Sequence, residues 1–197
     1  MTTQAKPQLI LLGGGGHCAA CIDVIEQENR YDIAGIVDVG NAAVCGYPVL
    51  GNDEALVRLR AGIGYALVTV GQIDSPAIRI RLYELAASLG FEQPTIVSPR
   101  AYVSKHARLG RGSIIMHNAL INARAVVGDN CIINSGALIE HDAVIANHCH
   151  ISTAAVINGG TTIQSGTFVG SNAIAIEQVK SAPNDFIRAG TVFKGTP

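Results

Sequence analysis

From residue 103 to 169 an aliphatic side chain returns at every sixth position: Val103, Leu109, Ile115, Ile121, Val127, Ile133, Ile139, Ile145, Ile151, Ile157, Ile163 and Val169. An α-helix would scatter such positions around its circumference, and a single strand of that length is far beyond the roughly 3–10 residues that strands reach. The interval therefore marks a repeat, each unit one short strand and one corner. Two residues before each aliphatic stands a small one: Ala107, Ser113, Ala119, Ala125, Cys131, Ala137, Ala143, Cys149, Ala155, Thr161 and Thr167. Three units close a triangular coil, so each inward aliphatic stacks on its counterpart one coil away, about 4.8 Å along the axis. The repeats predict about four coils, stable only when stacked. Gly110, Gly128 and Gly170 follow aliphatic positions directly, where close-packed backbone favours glycine. A parallel β-helix with no enzymatic role would satisfy the period equally well.

Before residue 98 the pattern is different. Leu9–Leu12 is a buried-strand run closed by Gly13–Gly16, and a helix over about 17–28 follows with Ala20, Cys21, Val24 and Ile25 on one face. Ile33–Val37 and Ala66–Val70 read as further strands, with a short helix capped by Asn52 between them. Ser75-Pro76 opens a helix whose face is Ile78, Leu82, Leu85 and Leu89, stopped by Gly90, and Thr95–Val97 reads as the last strand of this half. Alternating strands and helices imply a small parallel sheet, a Rossmann-like half. The expected division is an α/β unit over 1–98 and an all-β helix over 99–197.

Composition narrows the function. The 197 residues are 48% hydrophobic and 15% charged, with a net charge of −1. That supports a packed core and offers no basic field for nucleic acid or anionic membrane. Neither a signal peptide nor a membrane span is expected. Five scattered cysteines suggest no disulfide framework and a cytoplasmic setting. Cys18-x-x-Cys21 has the spacing of a redox pair, but helix packing explains Cys21, and Cys131 and Cys149 fall as stacked neighbours in the small-residue column.

Chemistry concentrates in two places. Asn134–Asp142 holds the densest polar cluster of the repeats, with His141 between Glu140 and Asp142. A neutral imidazole suits proton abstraction near pH 7, and an adjacent carboxylate can fix its tautomer. His150 interrupts an otherwise aliphatic column, which marks either a site or a hydrogen-bonded histidine between subunits. A metal site from His141, His148 and His150 is disfavoured because they fall on different parts of the coil, and His106 and His117 are assigned no role. The second place is Gly13–Gly16, between a strand and a helix. Its N–H groups can hold phosphate or pyrophosphate, Gly14-x-Gly16-x-x-Ala19 loosely follows a dinucleotide pattern, and Asp38 ends the next strand. A mononucleotide suits the size better; a turn that merely requires glycine is the alternative.

The Gly-Gly-Gly-His start, the acidic residue ending strand two, and a hexapeptide coil bearing Ile-Glu-His-Asp resemble the bacterial nucleotide-sugar acetyltransferases. The likeness is strongest to the UDP-amino-sugar N-acetyltransferases of the bacillosamine pathway, and sialic-acid O-acetyltransferases share the layout. The resemblance implies a left-handed parallel β-helix and acetyl-CoA as co-substrate, with no metal. It implies a homotrimer with active sites between subunits. It implies His141 as general base oriented by Asp142. It further implies that Asn134, His150 and Gly159 line the acetyl-CoA site, that Gly14, Gly16 and His17 hold the nucleotide diphosphate, and that Asp38 contacts the nucleoside. The implied reaction is transfer of acetyl to the 4-amino group of a UDP-4-amino-4,6-dideoxy sugar, with His150 a possible oxyanion donor. Sugar O-acetylation and a non-catalytic nucleotide-sugar-binding protein are the rivals. The stretch 175–185 departs from the rhythm and is expected to be irregular.

Overall fold

The computed structural model describes residues 5–196. Strands β1 (Gln8–Leu12), β2 (Asp32–Val37), β3 (Val49–Gly51) and β4 (Tyr65–Val68) form one parallel sheet in the order β3-β2-β1-β4. Helices α1 (Gly16–Glu28), α2 (Ala55–Leu59) and α3 (Ala77–Ser88) complete the unit. Leu9–Leu12 are fully buried, as a strand sandwiched on both faces requires. Helix α1 ends at Asn29, whose φ of 62° is the left-handed cap that asparagine tolerates and whose N–H closes onto the Ile25 carbonyl. Strand β3 was not legible, because Val49 and Leu50 are only two apolar residues among turn formers. On α1 the buried side chains are Cys18, Cys21, Ile22, Val24 and Ile25, while Ala20 is exposed. On α3 the expected face is rotated: Ile78 is exposed and Arg79 is buried beside Leu82 and Ala86.

The rest of the chain is a left-handed parallel β-helix with three flat faces. The first face stacks Ile96–Val97, Ile114–Ile115, Ile132–Ile133, His150–Ile151, Phe168–Val169 and Phe186–Ile187. The second stacks Tyr102–Val103, Leu120–Ile121, Leu138–Ile139, Val156–Ile157, Ile174–Ala175 and Val192–Phe193. The third stacks Arg108–Leu109, Val126–Val127, Val144–Ile145 and Thr162–Ile163, and Thr162 is further bridged to Lys180. Six strands on two of the faces give more coils than the about four expected. Two readings are corrected. Ile96–Val97 pairs with Ile114–Ile115 and is the first rung of the coil, not the last strand of the α/β sheet. Residues 175–185 keep the rhythm: buried Ala175, Ser181 and Ile187 continue the inward column, disguised by small and polar side chains. Ser181 is tolerated inside because its hydroxyl donates to the Ala182 carbonyl and accepts the Gln164 N–H.

The corners explain the remaining repeat. Gly112, Asn118, Arg124, Asn130, Gly136, Asp142, His148, Ala154, Gly160, Gly166, Asn172, Gln178, Asn184 and Gly190 all have positive φ, one per unit. Asn and Gly dominate because the left-handed conformation costs them least. Gly128 shows the other use of glycine: a Cβ there would fall 2.8 Å from the Asn147 nitrogen on the next coil.

The α/β unit sits on the first face. Leu9, Leu11, Cys21, Ile22, Ile25 and Leu67 share one core with Ile96, Ile114, Met116 and Ile132. Buried Arg79 fastens the junction, donating to the carbonyls of Val68, Val70 and Asn130 and to Asn130 Oδ1. Asp23 on α1 reaches His117 Nε2 at 2.7 Å, and the other ring nitrogen meets Ser98 Oγ at 2.6 Å. His117, given no role from sequence, thus ties helix to coil.

Candidate active site

His141 and Asp142 occupy a corner between the second and third faces. Asp142 holds the left-handed corner conformation, φ 62°, which turns its carboxylate back to His141: Nδ1 lies 2.8 Å from Oδ2. With Nδ1–H donating to that carboxylate, Nε2 keeps its lone pair, the state a proton acceptor needs. The imidazole is exposed, with 61% of the side chain accessible. Beneath it lies Gly159, one coil on, where a Cβ would approach Nε2 to 2.9 Å. Gly159 is therefore the floor of this corner. Glu140 takes no part in holding the ring: its Oε2 accepts from Asn122 Nδ2 and from the His141 backbone N–H.

One partner was missed in the sequence. Arg124, eighteen residues before Asp142, donates Nε–H and Nη2–H to its two carboxylate oxygens at 2.6 and 2.7 Å. The Arg124 and His141 hydrogen bonds hold the Asp142 carboxyl well below the usual carboxylate range. The signal was available, since eighteen is the coil length.

The second cluster lies on the first face, beneath the α/β unit. His150 is buried; Nδ1 lies 2.6 Å from the Gln72 carbonyl and Nε2 3.1 Å from Asn134 Nδ2. The carbonyl fixes the proton on Nδ1, so Nε2 accepts from Asn134. That corrects the oxyanion-donor reading of His150, which has no N–H left to give. Burial pulls its pKa down to about 4. His17, at the start of α1, stands 6.4 Å from His150 between ring centroids, and its Nε2 is buried without a partner. Burial, with Arg79 and His150 nearby, lowers its pKa to about 3. Phe168 continues the stack, edge-on to His150 at 5.2 Å.

The glycine loop adjoins His17. Asp38 takes up part of it: Oδ2 accepts the Gly14 N–H and Oδ1 the Gly40 N–H, each at 2.7 Å, and these bonds lower the carboxyl pKa. Gly15 and Gly16 face open space. The Cys18 N–H bonds the Gly15 carbonyl, while the Gly16 and His17 N–H groups before it have no partner within the helix, so this end favours an anion. Cys18 and Cys21 are buried and their thiol pKa values raised by burial, the opposite of a redox pair. Among the described residues no three His, Cys, Asp or Glu side chains come together as a metal site requires, and no helix is long and apolar enough to cross a membrane.

The two clusters do not meet within one chain. His17, His150 and the glycine loop lie at the first face, whereas His141 projects from the corner opposite that face.

Comparison with known proteins resolves the class. Residues 8–85 match the PglD N-terminal domain family and residues 106–141 the bacterial transferase hexapeptide family. A comparison with curated proteins gives no match. Among solved structures, a His-to-Asn variant of perosamine N-acetyltransferase from Caulobacter crescentus, in complex with CoA and GDP-perosamine, is 33% identical with a TM-score of 0.92, covering 98% of this chain and 91% of that one. The chain belongs to the nucleotide-sugar N-acetyltransferases of the hexapeptide superfamily. The acetyltransferase domain of PglB from Neisseria gonorrhoeae, in complex with acetyl coenzyme A, is 30% identical with a TM-score of 0.90, covering 97% and 92%. WeeI from Acinetobacter baumannii shares the fold, at 16% identity and a TM-score of 0.54. This acetyltransferase is thus acetyl-CoA-dependent, and the rival non-catalytic reading falls.

Proposed function

We propose that this acetyltransferase transfers acetyl from acetyl-CoA to the 4-amino group of a UDP-4-amino-4,6-dideoxy sugar, with His141 as general base. The observation that carries the reading is the exposed His141–Asp142 pair, tautomer-fixed with Nε2 free, over a glycine floor. The neutral amine attacks the thioester carbonyl, forming the C–N bond. Nε2 of His141 accepts the amine proton, and the Asp142 carboxylate stabilises the imidazolium. Collapse breaks the C–S bond, and the proton passes to the departing CoA thiolate. No covalent enzyme intermediate is required, because holding both reactants together supplies much of the acceleration.

The acceptor's diphosphate binds at the open Gly15–Gly16 end of α1, with His17 beside it and Asp38 shaping the loop. Asn134 and His150 border the acetyl group, Asn134 through the amide hydrogen not given to His150. Because this half of the site and His141 lie on opposite sides of the coil, the working site draws them from two subunits of a trimer. The second face supplies the contact: Tyr102, Leu120, Leu138, Val156, Ile174 and Val192 form an outward apolar column, with Tyr102 60% and Val192 57% exposed. That column borders the His141 corner.

A GDP-linked amino sugar is a second reading, favoured by the Caulobacter relative bound to GDP-perosamine. Incubation of the purified protein with acetyl-CoA and each nucleotide amino sugar tests both. Release of CoA thiol with a product heavier by one acetyl group is expected with one nucleotide series; no release with any amino sugar would refute the proposal.

A further inference from the structure

The carboxylate beside His141 is not its alone. Asp142 Oδ2 receives both His141 Nδ1–H, at 2.8 Å, and Arg124 Nη2–H, at 2.7 Å, while Oδ1 receives Arg124 Nε–H at 2.6 Å. The two donors arrive from successive coils: Arg124 sits directly above Asp142 in the eighteen-residue register, with the same left-handed corner conformation, φ 62°. That conformation is unfavourable for a long side chain, so the corner holds Arg124 in a place where sterics alone would prefer Asn or Gly. We propose that Arg124 is a positioning residue that sets the proton affinity of His141 through the carboxylate they share. This rests on His141 being the base.

The physics has a definite sign. A bare carboxylate 2.8 Å from an imidazole favours the imidazolium. A guanidinium on the same carboxylate opposes that field and competes for its lone pairs, so it weakens what the carboxylate contributes to holding a proton on the ring. The other charged neighbour at this corner is Glu140, whose Oε2 is engaged by Asn122 and the His141 N–H. Gly159 and Gly160 below carry no charge; His106 lies one coil above Arg124, and Lys105 and Glu177 lie about two coils, roughly 10 Å, above and below the ring.

The test is the pH dependence of kcat/KM for R124M and R124K, on the full chain with acetyl-CoA and its amino-sugar nucleotide. In R124M the acidic limb should move up by about 0.5–1 pH unit, with activity at alkaline pH within a few-fold of wild type. In R124K the limb should stay near wild type. The R124M displacement should shrink with added salt, because the group is exposed. An NMR titration of the His141 ring, compared with H141N, must show the same upward displacement without reference to turnover. An unmoved limb and an unmoved ring titration in R124M would overturn the proposal. An active H141A would instead overturn the base assignment, while the ring titration still reports on Arg124.

Discussion

His141 and Gly159 share one corner of the coil a turn apart, and a methyl group on Gly159 would come within 2.8 Å of His141 Cε1 and 2.9 Å of Nε2. Gly159 has ordinary negative φ, so alanine is permitted by the backbone and only the imidazole resists it. The exposed ring can swing away, which spares the fold and misplaces the proposed base. G159A is expected to lower kcat by about 10²-fold with an unchanged melting temperature. Steady-state kinetics beside a thermal melt checks this; wild-type turnover in G159A would show that the ring position is immaterial.

His141 itself makes one side-chain hydrogen bond, to Asp142. H141A is expected to lower kcat by about 10²–10⁴-fold while leaving KM for acetyl-CoA within a few-fold. D142N should lower kcat less and move the acidic limb of the pH profile down, since the imidazolium loses its counter-charge. Initial rates from pH 5 to 9 separate the two variants.

The buried histidines make stability pH-dependent. His150 and His17 have folded pKa values of about 4 and 3, against 6.5 when unfolded. The unfolded chain therefore binds protons that the folded chain refuses, and stability falls as pH drops below 6.5 toward those values. His150 alone accounts for at most about 3 kcal/mol by pH 4. Urea unfolding at pH 7 and pH 5 should show the loss, and H150N should reduce it; an H150N protein as acid-sensitive as wild type would contradict the assignment.

The second face predicts assembly. Val156 lies in the middle of the outward column on the strand joining Leu138 and Ile174. V156E is expected to give a monomer by light scattering, folded by circular dichroism and at least about 10²-fold less active, because under the proposed shared site each chain then lacks its other half. An active V156E monomer would contradict a shared site.

What the sequence could show depended on where side chains point. The inward column was legible because one aliphatic recurs at each unit. Its last coils were hidden because Ala175 and Ser181 fill the same place with the wrong chemistry. His141 stood out through its acidic neighbours, whereas Arg124 did not, although the coil length relates it to Asp142 as it relates Asn122 to Glu140 and Asn130 to His148. Arg79 could not have been read at all. Helical periodicity marks it as a surface cation, and its partners are mainly carbonyls from Val68, Val70 and Asn130, which no residue identity announces. His150 was recognisable as an anomaly in its column, but its tautomer follows from the Gln72 carbonyl, seventy-eight residues away.

Subunit mixing tests the shared site most directly. H141A lacks the proposed base but keeps the glycine loop, and a G16D variant places a carboxylate at the helix end proposed to hold the acceptor's diphosphate but keeps His141. Each alone should be nearly inactive. After co-refolding or co-expression, mixed trimers confirmed by native mass spectrometry should regain acetyl transfer, because one subunit's His141 then faces another's intact loop. Mixed trimers that stay as inactive as their parents would contradict the account.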